Sequence, residues 1–223
     1  MTGIASRAAL LALLAPLLAG SATAYTAAEP ADGGREASSV TAHVACERLS
    51  GKVVGDVKLT TILTPAAGTA PTYCKVSGTI APRLNFEIRL PQAWNGKLYY
   101  GGGGGYDGVM PDLVVGPLVQ GYAQVVSDSG HQDPTGMSAA FIVDDPKAAE
   151  LFGSQSVPTV MATAVKVIGA AYGQAPSKSY FEGCSTGGLE ALMVVQRNPD
   201  LFDGVIARAP AFNWVGLMGR FND

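Results

Sequence analysis

Between Val53 and Pro91 the chain alternates apolar and polar residues with a period of two. In "LNFEIRLP", Leu84, Phe86, Ile88 and Leu90 fall on one face and Asn85, Glu87 and Arg89 on the other, which is the pattern of a half-buried strand. The runs "VVGDVKLTTILT" from Val53 and "YCKVSGTI" from Tyr73 read the same way, so this part predicts short antiparallel strands at a sheet edge. After the turn signal "AWNG" comes a strand "KLYY", and beyond it the period lengthens. Asp112 to Gln120 predicts a short helix and "YAQVVSD" from Tyr122 a buried strand. Thr159 to Tyr172 predicts a helix with Val160, Met161, Ala164, Val165, Ile168, Ala171 and Tyr172 on its apolar face. Pro158 suits the first turn of that helix and Gly173 its end. "KSYFEG" then reads as a strand, Thr186 to Arg197 as a helix and "FDGVIARAP" as a strand. Alternating strands and helices predict an α/β fold with a parallel sheet and helices on its faces.

The beginning of the chain has a different character. Arg7 precedes an apolar run from Ala8 to Ala19 and the small residues "SATA", which together match the three regions of a signal peptide over residues 1–24. The run is shorter than the roughly 20 apolar residues that cross a bilayer, which argues against a membrane anchor. Residues 25–44 are rich in Ala, Gly, Ser and acids and lack apolar periodicity until about Thr41, so they read as a disordered leader. Without the first 24 residues the chain carries 14 basic and 18 acidic residues, a formal charge of −4. That balance offers nothing to nucleic acid. About 200 residues remain, enough for one domain with its own core.

Export also changes the reading of the three cysteines, Cys46, Cys74 and Cys184, because disulfides persist in secreted or periplasmic proteins. Cys46 and Cys74 lie close together on the first structured segments. A bridge between them would stabilise by roughly 3 to 4 kcal/mol on the chain-entropy model, which leaves Cys184 over.

Cys184 stands beside a serine in "FEGCSTGGLEALM". Centred on Ser185, the flanks are Gly183 and Gly187, as in the G-x-S-x-G turn that carries a strand sharply into a helix. Centred on Cys184 they are Glu182 and Thr186, which lack the freedom the turn requires. Ser185 is therefore the candidate nucleophile. The following helix N-terminus offers unpaired N–H groups and partial positive charge to an oxyanion. A second donor is expected from the segment after "KLYY", where Gly101 to Gly105 stand. The candidate oxyanion hole is the N–H of Thr186 with that of Gly104 or Gly105. The same glycines offer Gly103, Gly105 and Gly108 at dinucleotide-binding spacing, with Asp128 at the end of the next strand. Pro111 stands where the phosphate-binding helix should be running, which disfavours that reading. Asp128, His131 and Asp133 lack a clear fourth ligand for a metal site.

The stretches "LPQAWNGKLYYGGGGGYDG", "GYAQVVSDSGH", "KSYFEGCSTGG" and "NPDLFDGVIARAPAFNW" together resemble the tannase and feruloyl esterase family of secreted α/β-hydrolases, which includes hydrolases of terephthalate monoesters. The resemblance runs from about Cys46 to Asp223. It implies the N-terminal part of the mostly parallel hydrolase sheet, a nucleophilic Ser185, pocket-lining places for Asp128 and His131, and small aromatic esters as substrates. It also implies that Cys184 pairs with a cysteine beside the catalytic histidine, a partner missing here. Family members order their triad serine, acid, histidine, yet His43 and His131 both precede Ser185. Residues 45–223 are thus expected to be an incomplete catalytic domain, inactive or weakly active, without the lid where the family binds calcium, and needing no cofactor. Leu189 and Glu190, and the stretch "SVPTVMATAV", depart from the family pattern, which leaves substrate preference open. The competing reading is a secreted, non-catalytic binding domain with an α/β fold.

Overall fold

The computed structural model describes residues 40–112 and 114–221. The expected signal peptide, and the leader up to residue 39, lie outside the described residues. The strands are β1 (Val53–Val54), β2 (Val57–Lys58), β3 (Thr60–Thr64), β4 (Tyr73–Ile80), β5 (Leu84–Pro91), β6 (Lys97–Gly101), β7 (Ala123–Ser127), β8 (Lys178–Cys184) and β9 (Gly204–Arg208). The helices are α1 (Ala42–Leu49), α2 (Val115–Val119), α3 (Phe141–Asp144), α4 (Pro146–Glu150), α5 (Ser156–Tyr172), α6 (Thr186–Arg197) and α7 (Trp214–Phe221), and a π-helical turn, Leu151–Gln155, leads into α5.

Seven strands form one sheet in the order β3-β4-β5-β7-β6-β8-β9. The antiparallel edge is β3, β4 and β5, joined antiparallel to β7. From β7 through β6 and β8 to β9 all pairings are parallel. The chain places β7 between β5 and β6, although β6 comes first in sequence, so the connection through α2 crosses over.

Strand faces follow the alternating pattern. Leu84, Phe86, Ile88 and Leu90 are buried with Val125, Leu98, Tyr100 and Phe181 under α5 and α6. The opposite face departs from expectation at Arg89, predicted outward and only 5% exposed. It is covered because the loop before α2 crosses it: Arg89 donates from Nη2 to the carbonyl of Pro111 (3.1 Å) and from Nε to Glu87 (2.5 Å). Helix α5 begins at Ser156, earlier than predicted, because the π-helical turn feeds it. Val157 and Val167 join its buried face while Val165 is half-buried. Gly173 closes the helix with φ 79°, the left-handed conformation that glycine adopts without steric cost.

Helix α1 was not expected; it takes residues 42–44 out of the anticipated leader. Its N-cap Thr41 accepts from the N–H of Val44 (3.3 Å), and Ala42, Ala45, Cys46 and Leu49 are buried on one side. The stripe escaped the periodicity reading because alanine and cysteine carry most of it. Arg48 donates to the carbonyl of Ala171 (2.9 Å), tying α1 to the end of α5. The Cys46–Cys74 disulfide then fastens α1 to β4.

Because that bridge closes a separation of 28 residues, replacing both cysteines by alanine is expected to lower unfolding free energy by about 3 kcal/mol. Urea titration of the double variant measures it, and an unchanged midpoint would show that α1 is held without the bridge.

Candidate active site

Ser185 sits between β8 and α6 with φ 59° and ψ −118°. A side chain bearing a Cβ rarely adopts this conformation, which costs on the order of 1–3 kcal/mol. Three backbone hydrogen bonds hold it there. The Ser185 N–H donates to Arg208 at the end of β9, and its carbonyl accepts from Leu189 and from Ala211, each at 3.1 Å. The serine is exposed, as is the free Cys184 before it.

Both flanking glycines are required by space. A Cβ on Gly183 would lie 2.2 Å from the carbonyl oxygen of Gly187, and one on Gly187 would lie 2.7 Å from that of Gly103. Gly188 is similarly confined by the carbonyl of Arg208 at 2.6 Å. Strand, helix and polyglycine segment therefore meet at backbone contact distance.

The polyglycine segment is fastened to the same turn. The Gly187 N–H donates to the carbonyl of Gly103 (3.1 Å), and the hydroxyl of Thr186 donates to that of Gly105 (2.5 Å). Gly105 has φ 62°, and a Cβ there would strike the carbonyl of Gly136. The N–H groups of Thr186 and Gly105 have no acceptor among the described residues. Gly108 is followed by no phosphate-binding helix; the next helix is α2, starting at Val115. Tyr106, just past the glycines, meets Trp214 of α7 edge-to-face at 5.3 Å.

Beneath the segment lie residues that the motif reading did not assign to the site. Glu190 on α6 and Asp107 are 9% and 1% exposed. Glu190 accepts from the Gly103 N–H (2.9 Å), and the Ser129 hydroxyl, which donates to Asp107, lies 3.4 Å from Glu190 Oε1. Burial pushes the Asp107 carboxyl up to about 6 against hydrogen bonds from Ser129, Glu190 and the Gly104 backbone. Burial, reinforced by the Asp107 charge, raises Glu190 well above the usual carboxylate range. The sequence held one signal for Glu190. It is an acid on the buried stripe of α6, between Thr186 and Val194.

Asp128 and His131 are also interior. Asp128 accepts from the N–H and side-chain amide of Asn85, from the Gly130 N–H and from Gln132, fixing the end of β7 to the start of β5. His131 stacks on Phe141 with centroids 3.6 Å apart, and burial lowers its pKa. Asp133 is occupied by the backbone of Thr135, Met137 and Ser138. Among the described residues no three His, Cys, Asp or Glu side chains are grouped to hold a metal ion.

A solvent-exposed serine on a strained strand-to-helix turn, bonded through its next two residues to a glycine segment, is an arrangement able to present a hydroxyl to a substrate. A family model, tannase and feruloyl esterase, matches residues 67–221. The chain belongs to the tannase and feruloyl esterase family. It is 38% identical over 161 residues to an uncharacterized esterase of Agrobacterium fabrum, covering 65% of this chain and 29% of that one. It is 32% identical over 171 residues to the mono(2-hydroxyethyl) terephthalate hydrolase of Piscinibacter sakaiensis, covering 67% and 28%. The crystal structure of feruloyl esterase B from Aspergillus oryzae superposes with a TM-score of 0.67 at 25% identity, over 79% of this chain and 38% of that one. The fold is thus that of the family's α/β-hydrolases, and this chain spans under a third of the length of these two sequence relatives.

Two expectations follow from the geometry. Gly183→Ala should destabilise by about 3 kcal/mol or more, since its methyl group meets backbone, whereas Gly104→Ala, with open space around it, should change stability by less than about 0.5 kcal/mol; urea unfolding of the pair tests this. Asp107 is raised in the folded state, so its contribution to stability is full below its unfolded value and declines as pH rises from about 4 to about 6. The Tm difference between wild type and Asp107→Asn should shift against wild type across that window, and a difference that stays flat would contradict the assignment.

Proposed function

We propose that this chain carries the nucleophile and oxyanion hole of a serine carboxylic ester hydrolase acting on small aromatic acid esters. The reading is carried by the Ser185 turn, with the polyglycine segment bonded to its two following residues at 3.1 and 2.5 Å. Ser185 Oγ attacks the ester carbonyl. The resulting oxyanion accepts from the N–H of Thr186 and from that of Gly105, donors arranged before the charge develops; Gly104, the other candidate, has its N–H turned to Asp107. The alcohol leaves, and water releases the acid from the acyl-serine.

The general base in this reading is a histidine provided by neither His43 nor His131. His43 is exposed on α1 beside Glu47, and His131 is packed beneath Phe141 with Nε2 against Gly108. Asp128 and His131 support the pocket from below. The aromatic substrate class rests on the relatives named for terephthalate and ferulate esters. Export to an oxidising compartment is supported by the Cys46–Cys74 disulfide and the leader-like beginning of the sequence.

Without its base such a site retains only what binding and the oxyanion hole supply, roughly 10³–10⁴-fold over water. Hydrolysis of p-nitrophenyl acetate by the purified chain is expected to be slow and to vanish in Ser185→Ala. Turnover that survives Ser185→Ala would end the proposal, and turnover at ordinary esterase rates would show that a base is already present.

A further inference from the structure

Glu190 and Asp107 are two acids in one dry site, and each touches the polyglycine segment. A Cβ on Gly102 would come within 2.9 Å of Glu190 Oε2, and one on Gly103 within 2.4 Å of Asp107 Oδ1. Glu190 Oε2 receives the Gly103 N–H, while its Oε1 and Asp107 converge on the Ser129 hydroxyl. On the far side of Glu190 a cavity of about 20 Å³ is lined by Phe152, Val157, Met193 and other residues without ionisable side chains. Other ionisable neighbours are Asp128, at the end of β7, Tyr100 on β6, whose hydroxyl contacts Ser127, and His131, whose Nε2 faces Gly108. Burial favours the neutral imidazole of His131, so it brings little positive charge to the pair.

Two carboxylates cannot both stay ionised in such a place, because like charge and lost solvation both favour the neutral form. One proton held between them resolves the conflict. We propose that Glu190 and Asp107 form a proton-sharing carboxyl pair that positions Gly102–Gly105 against the α6 N-terminus, and so sets the oxyanion donor beside Ser185. The protonated acid is Glu190. Its carbonyl oxygen accepts from Gly103 and its hydroxyl is directed to the Asp107 side, a hydrogen bond that an amide reproduces. The catalytic consequence rests on the esterase reading, whereas the pair and its hold on the glycines do not.

The test uses the whole chain and two measurements that need no ester turnover. Infrared difference spectra near neutral pH, wild type minus Glu190→Gln, should show the band of a protonated carboxylic acid. In Asp107→Asn that band should titrate away at lower pH, since the like charge is gone. Amide hydrogen exchange at Gly103–Gly105 should quicken at least tenfold in Glu190→Ala and remain near wild type in Glu190→Gln. In p-nitrophenyl acetate hydrolysis, kcat should fall roughly tenfold or more in Glu190→Ala with KM little changed, and recover in Glu190→Gln. A missing acid band near neutral pH, or equal exchange in the alanine and glutamine variants, overturns the pair; the infrared arm stands even if Glu190→Ala does not fold. Altered exchange without any change in kcat refutes only the link to Ser185.

Discussion

The contact on which the site depends is between two glycines. Gly183 is the next-to-last residue of β8 and Gly187 the second of α6, and they touch with no side chain between them. That approach lets the chain reverse from strand to helix within three residues and forces the intervening Ser185 into its left-handed conformation. A strained residue persists only where its surroundings over-determine it. Here β9 contributes through Arg208, the segment after it through Ala211, and α6 through Leu189. The parallel half of the sheet thus acts as the frame that holds one hydroxyl outward.

The polyglycine segment answers the same constraint from the other side. A residue larger than glycine at 102, 103 or 105 would meet Glu190, Asp107 or the Gly136 carbonyl. Glycine is costly to order, and the segment recovers that cost through bonds from Gly187 and Thr186 above and to Glu190 below. Its apparent looseness as sequence becomes, in the fold, a tightly enclosed strip of backbone.

Charge in this region is arranged by exclusion. The acids at 107, 128 and 190 lie within the interior behind the glycines, while the exposed surface of the turn carries Ser185 and Cys184. Asp128 is met by four hydrogen bonds from Asn85, Gly130 and Gln132. Asp107 and Glu190 have only hydroxyl, backbone and each other, and burial raises both.

Local pattern determined a good deal by itself. The limits of β4, β5 and α6 follow from period and turn residues, because strand and helix each leave a fixed spacing of buried side chains. The strand-to-helix turn at Ser185 and its closely packed glycines were legible for a related reason: a sharp turn and a close backbone approach tolerate few residue types. Helix α1 was not legible, since alanine and cysteine give a weak apolar stripe and its stability comes from the disulfide and from α5. The insertion of β7 between β5 and β6, the burial of Arg89 and the meeting of Asp107 with Glu190 were decided by the tertiary structure alone. Each depends on segments distant in sequence arriving at the same place, and only there do desolvation and like charge act on a side chain that local spacing leaves ambiguous.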